Sequence, residues 1–419
     1  MAKLSKSSVA AIKAELAQGS KTKAQIARDY GVSRGAVYLI SIGENHKDVP
    51  APAGGERPRQ VDPTDARVME LETEVTMLKD EIQSQKRIIK ANTKKHGLYR
   101  AIVDELDSRV EKFKPLDKVY TPQPKGAIQE HLVMHLSDGH HDQVIDPEGC
   151  GGLENHNFQV SCRRAENYID TVINFTQRDL PNYSFTDLTI LAYGDHTSGE
   201  IHKSVDRSEF RNQFNNCLAI GQLHALMFRD LAAYFRTISI VYVPGNHGRR
   251  SEKKDHHGAH DNWDYLIAKT AEMHCRDITN ISFLIPNAFS VNLNIAGVGF
   301  NVSHGDDIRG TSGIPFYNLT RRQKSMASLA TMQNGPPIRY FCIGHHHIAG
   351  SLADLNGEAL LNGAWVGTDA YSYNSFCGYR QPSQLIHGVN EKHGVTWRMH
   401  VHLRSEDDVF GPKRYKVAV

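Results

Sequence analysis

The chain has 419 residues, 40% hydrophobic and 23% charged, with a formal net charge of +2. That length suits about two to three domains of ~150 residues each, at a composition ordinary for a soluble globular protein. The balance excludes a chain basic throughout. No apolar run approaches the ~18 residues of a membrane span, and Met1 to Ser8 has no signal-peptide core.

Charge is uneven along the chain. Up to residue 60, ten Lys/Arg (3, 6, 13, 21, 23, 28, 34, 47, 57, 59) face five Asp/Glu (15, 29, 44, 48, 56), a local +5 that leans toward nucleic acid. The same stretch reads as three short helices. Val9, Ile12 and Leu16 recur at helical spacing until Gly19; Ile26 and Ala27 sit in a helix stopping at Tyr30-Gly31; Ser33 caps a third carrying Val37 and Ile40. Ala24 to Ser33 resembles the core of a helix-turn-helix, and Ile42 to Lys47 resembles the modules appended to phage homing endonucleases. That resemblance implies a DNA-binding domain over residues 1–48, with Lys23, Ser33, Arg34 and Tyr38 toward the DNA. A small helical protein-docking module is the alternative.

Residues 49–63, with Pro50, Pro52, Gly54 and Gly55, predict a flexible linker. Over 64–113 apolar residues take up steps of three and four: Val68, Leu71, Val75, Leu78, Ile82 and Ile89, with Gln85 the one polar member of the seam, then Leu98 to Phe113. This predicts a coiled coil and hence a homodimer or higher homo-oligomer; a single amphipathic helix packed on the next domain is the alternative.

From 128 to 405 strands alternate with helices, and a basic, loose tail is expected over 406–419. Five apolar runs each end in a polar pair or triple: Leu132–Leu136 before Ser137-Asp138-Gly139-His140, and Leu188–Tyr193 before Gly194-Asp195. Ile240–Val243 precedes Pro244-Gly245-Asn246-His247, Val298–Ser303 precedes His304-Gly305, and Tyr340–Ile343 precedes Gly344-His345-His346-His347. Strand ends are where ligands and catalysts gather in layered α/β proteins. Histidine, at 23 residues, is the outlier of the composition and the commonest metal ligand. Six scattered cysteines without a C-x-x-C pair argue against a thiolate zinc site or a disulfide framework, and fit a reducing cytoplasm.

The ordered set D-x-H, G-D, G-N-H, H-G and G-H-x-H resembles the calcineurin-like metallophosphoesterase superfamily, its DNA-repair nucleases in particular. The resemblance implies an α/β fold, a β-sandwich flanked by helices, here preceded by the small all-α domain and the coiled-coil helix. It implies two divalent cations, Mn²⁺ first, with Fe²⁺, Zn²⁺ or Mg²⁺ as alternatives. Asp138, His140, Asp195 and His347 would hold one; Asp195, Asn246, His304 and His345 the other, with Asp195 bridging. His247 would be the general acid. The acid that usually follows G-N-H and helps orient that histidine is replaced here by Gly248. Arg249, Arg250, Lys253 and Lys254 form a basic insertion that could clamp a phosphate backbone or be a solvated loop, and Arg321, Arg322 and Lys324 form a second. His196 and His202 are candidate substrate contacts or surface histidines. Asn362-Gly363 resembles a structural closing turn.

Together these features predict a metal-dependent DNA endonuclease or nickase in the cytoplasm, the host's if the chain is phage-encoded. A phosphodiesterase for a small or cyclic nucleotide, and a DNA-binding regulator on a non-catalytic scaffold, are the alternatives.

Overall fold

The computed structural model describes residues 4–50, 106–107, 110–119, 126–201, 208, 210, 212–250, 258–310, 315–333, 335, 337–355 and 357–417. The chain divides into two compact units, 1–98 and 99–419.

The first unit contains α1 (Lys6–Gln18), α2 (Lys23–Asp29) and α3 (Arg34–Ser41). Their ends follow from local chemistry. Ser5, Thr22 and Ser33 accept the first free amides, Thr22 with Gln25 completes a capping box, and Gly19 closes α1 in the left-handed region at φ 63°. Val9, Ile12, Ile26, Val37 and Ile40 share one buried cluster. The predicted linker beyond residue 50 and the predicted coiled coil as far as residue 105 lie outside the described residues.

The second unit carries two sheets. One runs in the order β11-β10-β1-β2-β3-β4 and the other β5-β6-β7-β9-β8. Their strands are β1 (Ile128–Leu136), β2 (Tyr183–Tyr193), β3 (Thr237–Val243), β4 (Ile281–Leu284), β5 (Ser290–Ile295), β6 (Val298–Ser303), β7 (Ile338–Ile343), β8 (Gly350–Asp354), β9 (Gly357–Leu361), β10 (Ser383–Asn390) and β11 (Gly394–His402). The first four are mutually parallel, as are β6, β7 and β9. Alternation along the strands sends side chains to two cores. Val133, Leu191 and Val241 meet Phe300, Val302 and Cys342 of the other sheet. Leu132, Met134, Leu188, Ile190 and Ile240 instead face α4 (Phe158–Asn174), α5 (Gln213–Ala232) and α6 (Trp263–His274). A third helix layer, α7 (Phe316–Met332), places Leu319 and Ala330 on Phe341 and Leu361. The result is a sandwich of two sheets with helices outside, as predicted.

Two boundaries differ from expectation. Phe113, read as the end of the helical stripe, is buried in the core beside α6, and its amide donates to His274 O at 2.8 Å. An aromatic ring that would face water on an isolated rod is better buried here, so this unit begins before residue 128. The tail is not loose. Tyr415 is fully buried, its hydroxyl donates to Asp230 Oδ2 at 2.9 Å, and Glu166 accepts the amides of Lys413, Arg414 and Tyr415. Nearby, Arg164 on α4 is buried between Glu154 (2.8 Å) and Asp408 (3.0 Å). Removing one partner of such a buried ionic group costs about 3–5 kcal/mol, which ties residues 406–417 to the body. Among the described residues no helix is long and apolar enough to cross a membrane.

Candidate metal centre

The parallel strands deliver the predicted residues to one place. Asp138 and His140 follow β1, Asp195 follows β2, Asn246 and His247 follow β3, His304 follows β6, and His345 and His347 follow β7. Pairing continues past the strand ends and brings the loops together: Asp138 N donates to Gly194 O, His140 N to Asp195 O, and Gly344 N to His304 O, at 2.9–3.0 Å. Ligand-bearing atoms of Asp138, His140 and His347 lie within 4.8 Å of one another, as do those of Asp195, His304 and His345 and of His140, Asp195 and His247. Asn246 Oδ1 is 3.1 Å from His304 Nε2, completing the set.

The backbone takes the left-handed region at five of these residues. Asp138, His140, Asp195, His345 and His347 all have φ between 39° and 65°. Left-handed backbone is uncommon outside glycine and concentrates at functional sites, because surrounding structure must hold it there. Gly245 is obligatory by space, since a Cβ on it would collide with Asp195 Oδ1.

Both carboxylates are buried and held from behind. Asp138 accepts from Ser137 Oγ at 2.5 Å and from the His345 amide at 2.8 Å. Asn362, after β9, donates to Ser137 Oγ and to Gln384 Oε1, so the closing turn sits in the support of Asp138. Asp195 Oδ1 accepts the His247 amide at 2.7 Å, while Oδ2 lies 2.8 Å from His304 Nε2. Burial works against the charged form of Asp138, but the hydrogen bond and charge of His347 outweigh it and lower its pKa to about 2. Burial likewise opposes a charged His304, yet Asp195 outweighs it and raises the imidazole to about 10. Partial burial, then the charge of the neighbouring His304, lowers His345 to about 4, and burial lowers His140 far below its usual range.

The donor set fits paired divalent cations. His304 Nδ1 donates to Tyr193 O at 2.9 Å, which fixes the tautomer and aims Nε2 at Asp195 Oδ2 and Asn246 Oδ1. With Nδ1–H committed to that carbonyl, Nε2 and those two oxygens converge, so a cation taking the place of the Nε2 proton would find three donors. Two carboxylates, neutral imidazoles and an amide oxygen suit borderline and hard divalent ions.

Some supports have no signature in the sequence. Asp264, in the first turn of α6, accepts the amides of Asp195 (3.1 Å), His196 (3.1 Å) and Gly245 (2.9 Å), and clamps the loops after β2 and β3. Burial, then the charge of Asp195, raises its pKa to about 6. His247 Nδ1 donates to Ser198 O at 2.9 Å, and its Nε2 stands 4.0 Å from Asp195 Oδ2. Asp142 in turn fixes Ser198 through its amide at 2.8 Å. The orienting acid expected after His247 is therefore replaced by a backbone carbonyl. Gly248 suits its place because a Cβ there would collide with Asn262 Oδ1.

The remaining candidates divide. Arg249 Nε donates to Asn246 O at 3.0 Å, and Arg250 pairs with Asp261 at 2.8 Å. Lys253, Lys254 and His202 lie outside the described residues. Of the second basic group, Arg322 pairs with Asp307 at 2.6 Å. His196 is fully buried, its ring against His224 and Tyr242, so the expected substrate contact there is corrected to an interior position. In the first unit Lys23 Nζ lies 4.9 Å from the Tyr38 ring centroid, Ser33 caps α3, and Arg34 is exposed.

Neither family models nor curated proteins match the chain. Solved structures do so weakly. An archaeal phosphodiesterase is 11% identical over 64% of this chain and 99% of its own, at a TM-score of 0.29. Zinc-bound Vps29 from Entamoeba histolytica is 11% identical over 65% and 99%, at 0.28. A conserved uncharacterized protein of Streptococcus pneumoniae TIGR4, a predicted phosphoesterase, is 8% identical over 66% and 99%, at 0.26. Likeness at that level decides nothing about activity, which has to be read from the side chains.

Proposed function

We propose that the chain is a calcineurin-like metallophosphoesterase that hydrolyses phosphodiester bonds in DNA, as an endonuclease or nickase. The observation that carries this reading is the convergence of Asp138, His140, Asp195, Asn246, His304, His345 and His347 beyond five strands, three parallel in one sheet and two parallel in the other. Asp138, His140, Asp195 and His347 would hold one cation and Asp195, Asn246, His304 and His345 the other. Bound there, two divalent cations, Mn²⁺ first, would neutralise phosphate charge and lower the pKa of water.

The chain supplies the rest. A carboxylate such as Asp195 can offer one oxygen to each side, and both its oxygens are already aimed by the His247 amide and His304. Ser198 O holds His247 Nδ1–H, which leaves Nε2 to carry a proton to the departing oxygen as general acid. Arg249 and Arg250 stand within three and four residues of Asn246, where a bound phosphate backbone would pass, and Lys253 and Lys254 continue that basic run.

DNA is favoured as substrate by the first unit. Its short capped helices, the exposed Arg34 at the start of α3 and the local +5 charge suit a helix set into a major groove, with Lys23, Ser33 and Tyr38 beside it. Self-association through the part of the predicted seam before residue 106 would present two such units and raise the local concentration of the catalytic unit.

The test is supercoiled plasmid with the full chain and Mn²⁺. Nicked circles are expected, with Asp195→Ala slower by ~10³ or more, since a shared ligand supports several kcal/mol of charge stabilisation. Arg34→Ala should lower the salt slope of plasmid binding by about 1 and spare a small diester such as bis(p-nitrophenyl) phosphate. Turnover of the small diester alone would reassign the substrate to a nucleotide. Turnover of neither would end the phosphodiesterase reading.

A further inference from the structure

Behind the cleft lies a second group of histidines that the proposed reaction does not use. His141 follows His140, His196 follows Asp195, and His224 lies in the middle of α5; all three are fully buried. One ligand atom from each falls within 4.8 Å of the other two. His141 Nδ1 is bonded to Ser161 Oγ at 2.6 Å and His224 Nδ1 to Tyr242 OH at 2.8 Å. That is the outer-shell pattern of metal-bound imidazoles, where the far nitrogen is anchored so that Nε2 can ligate. The two Nε2 atoms face each other at 3.1 Å. If both Nδ1 atoms keep their protons, two lone pairs oppose each other across that distance. The third ring adds a harder constraint: neither nitrogen of His196 has a hydrogen-bond partner among the described residues. A buried polar atom without a partner calls for an explanation, and a water or an ion is one.

We propose that His141, His196 and His224 form a third, interior site for a transition-metal dication of the Zn²⁺ class. Three nitrogen donors with no carboxylate among them select a borderline ion over Mg²⁺ or Ca²⁺. The site would cross-link the loops after β1 and β2 to α5, one residue away from His140 and Asp195, and so would be structural. It stands whether or not the cleft binds metal.

The experiment uses the full chain, stripped with chelator and reloaded with Zn²⁺, with zinc counted per chain by mass spectrometry. His224→Gln should hold one equivalent fewer than the wild type, whatever the wild-type number, while Asp138→Ala retains that equivalent. Tyr242→Phe keeps the packing and removes only the anchor of His224, and should weaken one equivalent by 10–100-fold. Melting curves identify a variant that has failed to fold, and Tyr242→Phe then decides. Equal zinc content and equal affinity in the wild type and Tyr242→Phe, or an unchanged count in folded His224→Gln, would overturn the proposal.

Discussion

His140 and His141 are neighbours in sequence, as are Asp195 and His196, yet each pair splits between two different environments. The first member of each faces the cleft, where Asp138 and Asp195 set the electrostatics and raise His304 to about 10. The second turns into the interior, where burial lowers His196 to about 3 and pushes His141 and His224 down as well. One residue of offset at a strand end is enough to change a histidine from a partner of carboxylates into a neutral ring among aromatic neighbours. Composition alone could not make that distinction. The cleft histidines suit charge-handling chemistry, and the interior ones suit a fixed structural role.

Three substitutions probe this difference, in falling order of effect on activity. His247→Ala removes the one cleft imidazole aimed by Ser198 O without being assigned as a ligand. Phosphodiester turnover should fall by ~10²–10⁴ while metal content stays unchanged, as read by single-turnover kinetics beside metal analysis. Loss of metal instead would move His247 into the ligand set. Asp264→Asn acts on both regions, because Asp264 holds the amides of Asp195 and His196 together. An amide cannot accept at both ends, so metal affinity in the cleft should weaken by about 10–100-fold, and chemical denaturation should show a loss of about 1–3 kcal/mol. Unchanged affinity would mean that the loops need no clamp. Ser161→Ala touches only the interior, taking the partner from His141 Nδ1. A loss of about 1–3 kcal/mol in stability is expected with turnover within a few-fold of wild type. A large drop in turnover at normal stability would show that the two regions are not separate.

Much of the cleft was legible beforehand because its signal is local. An apolar β-branched run ending in Gly-Asp or Gly-Asn-His marks both the strand and the residue at its tip, and β1, β2, β3, β6 and β7 end where those runs end. The Gly19 end of α1, the stop of α2 at Tyr30-Gly31 and the Ser33 cap of α3 were legible for the same reason. What escaped depends on long-range closure. Ser198 supports His247 from 49 residues away, and through a carbonyl, which no residue type advertises. Asp264 looks like an ordinary first-turn acid until the loops after β2 and β3 close on it. Phe113 and Tyr415 sit in segments whose polarity suggested a rod and a loose tail, but a single ring with a cavity to fill outweighs the composition around it. The interior trio was hidden because His224 belongs to a helix whose apolar residues dominate its pattern.

The most direct test of the cleft assignment is anomalous diffraction from crystals of the full chain grown or soaked with Mn²⁺. Two peaks are predicted with Asp195 between them, one against Asp138, His140 and His347 and one against Asn246, His304 and His345. A map with no peak in that cleft, or with manganese bound only elsewhere on the chain, would contradict the account.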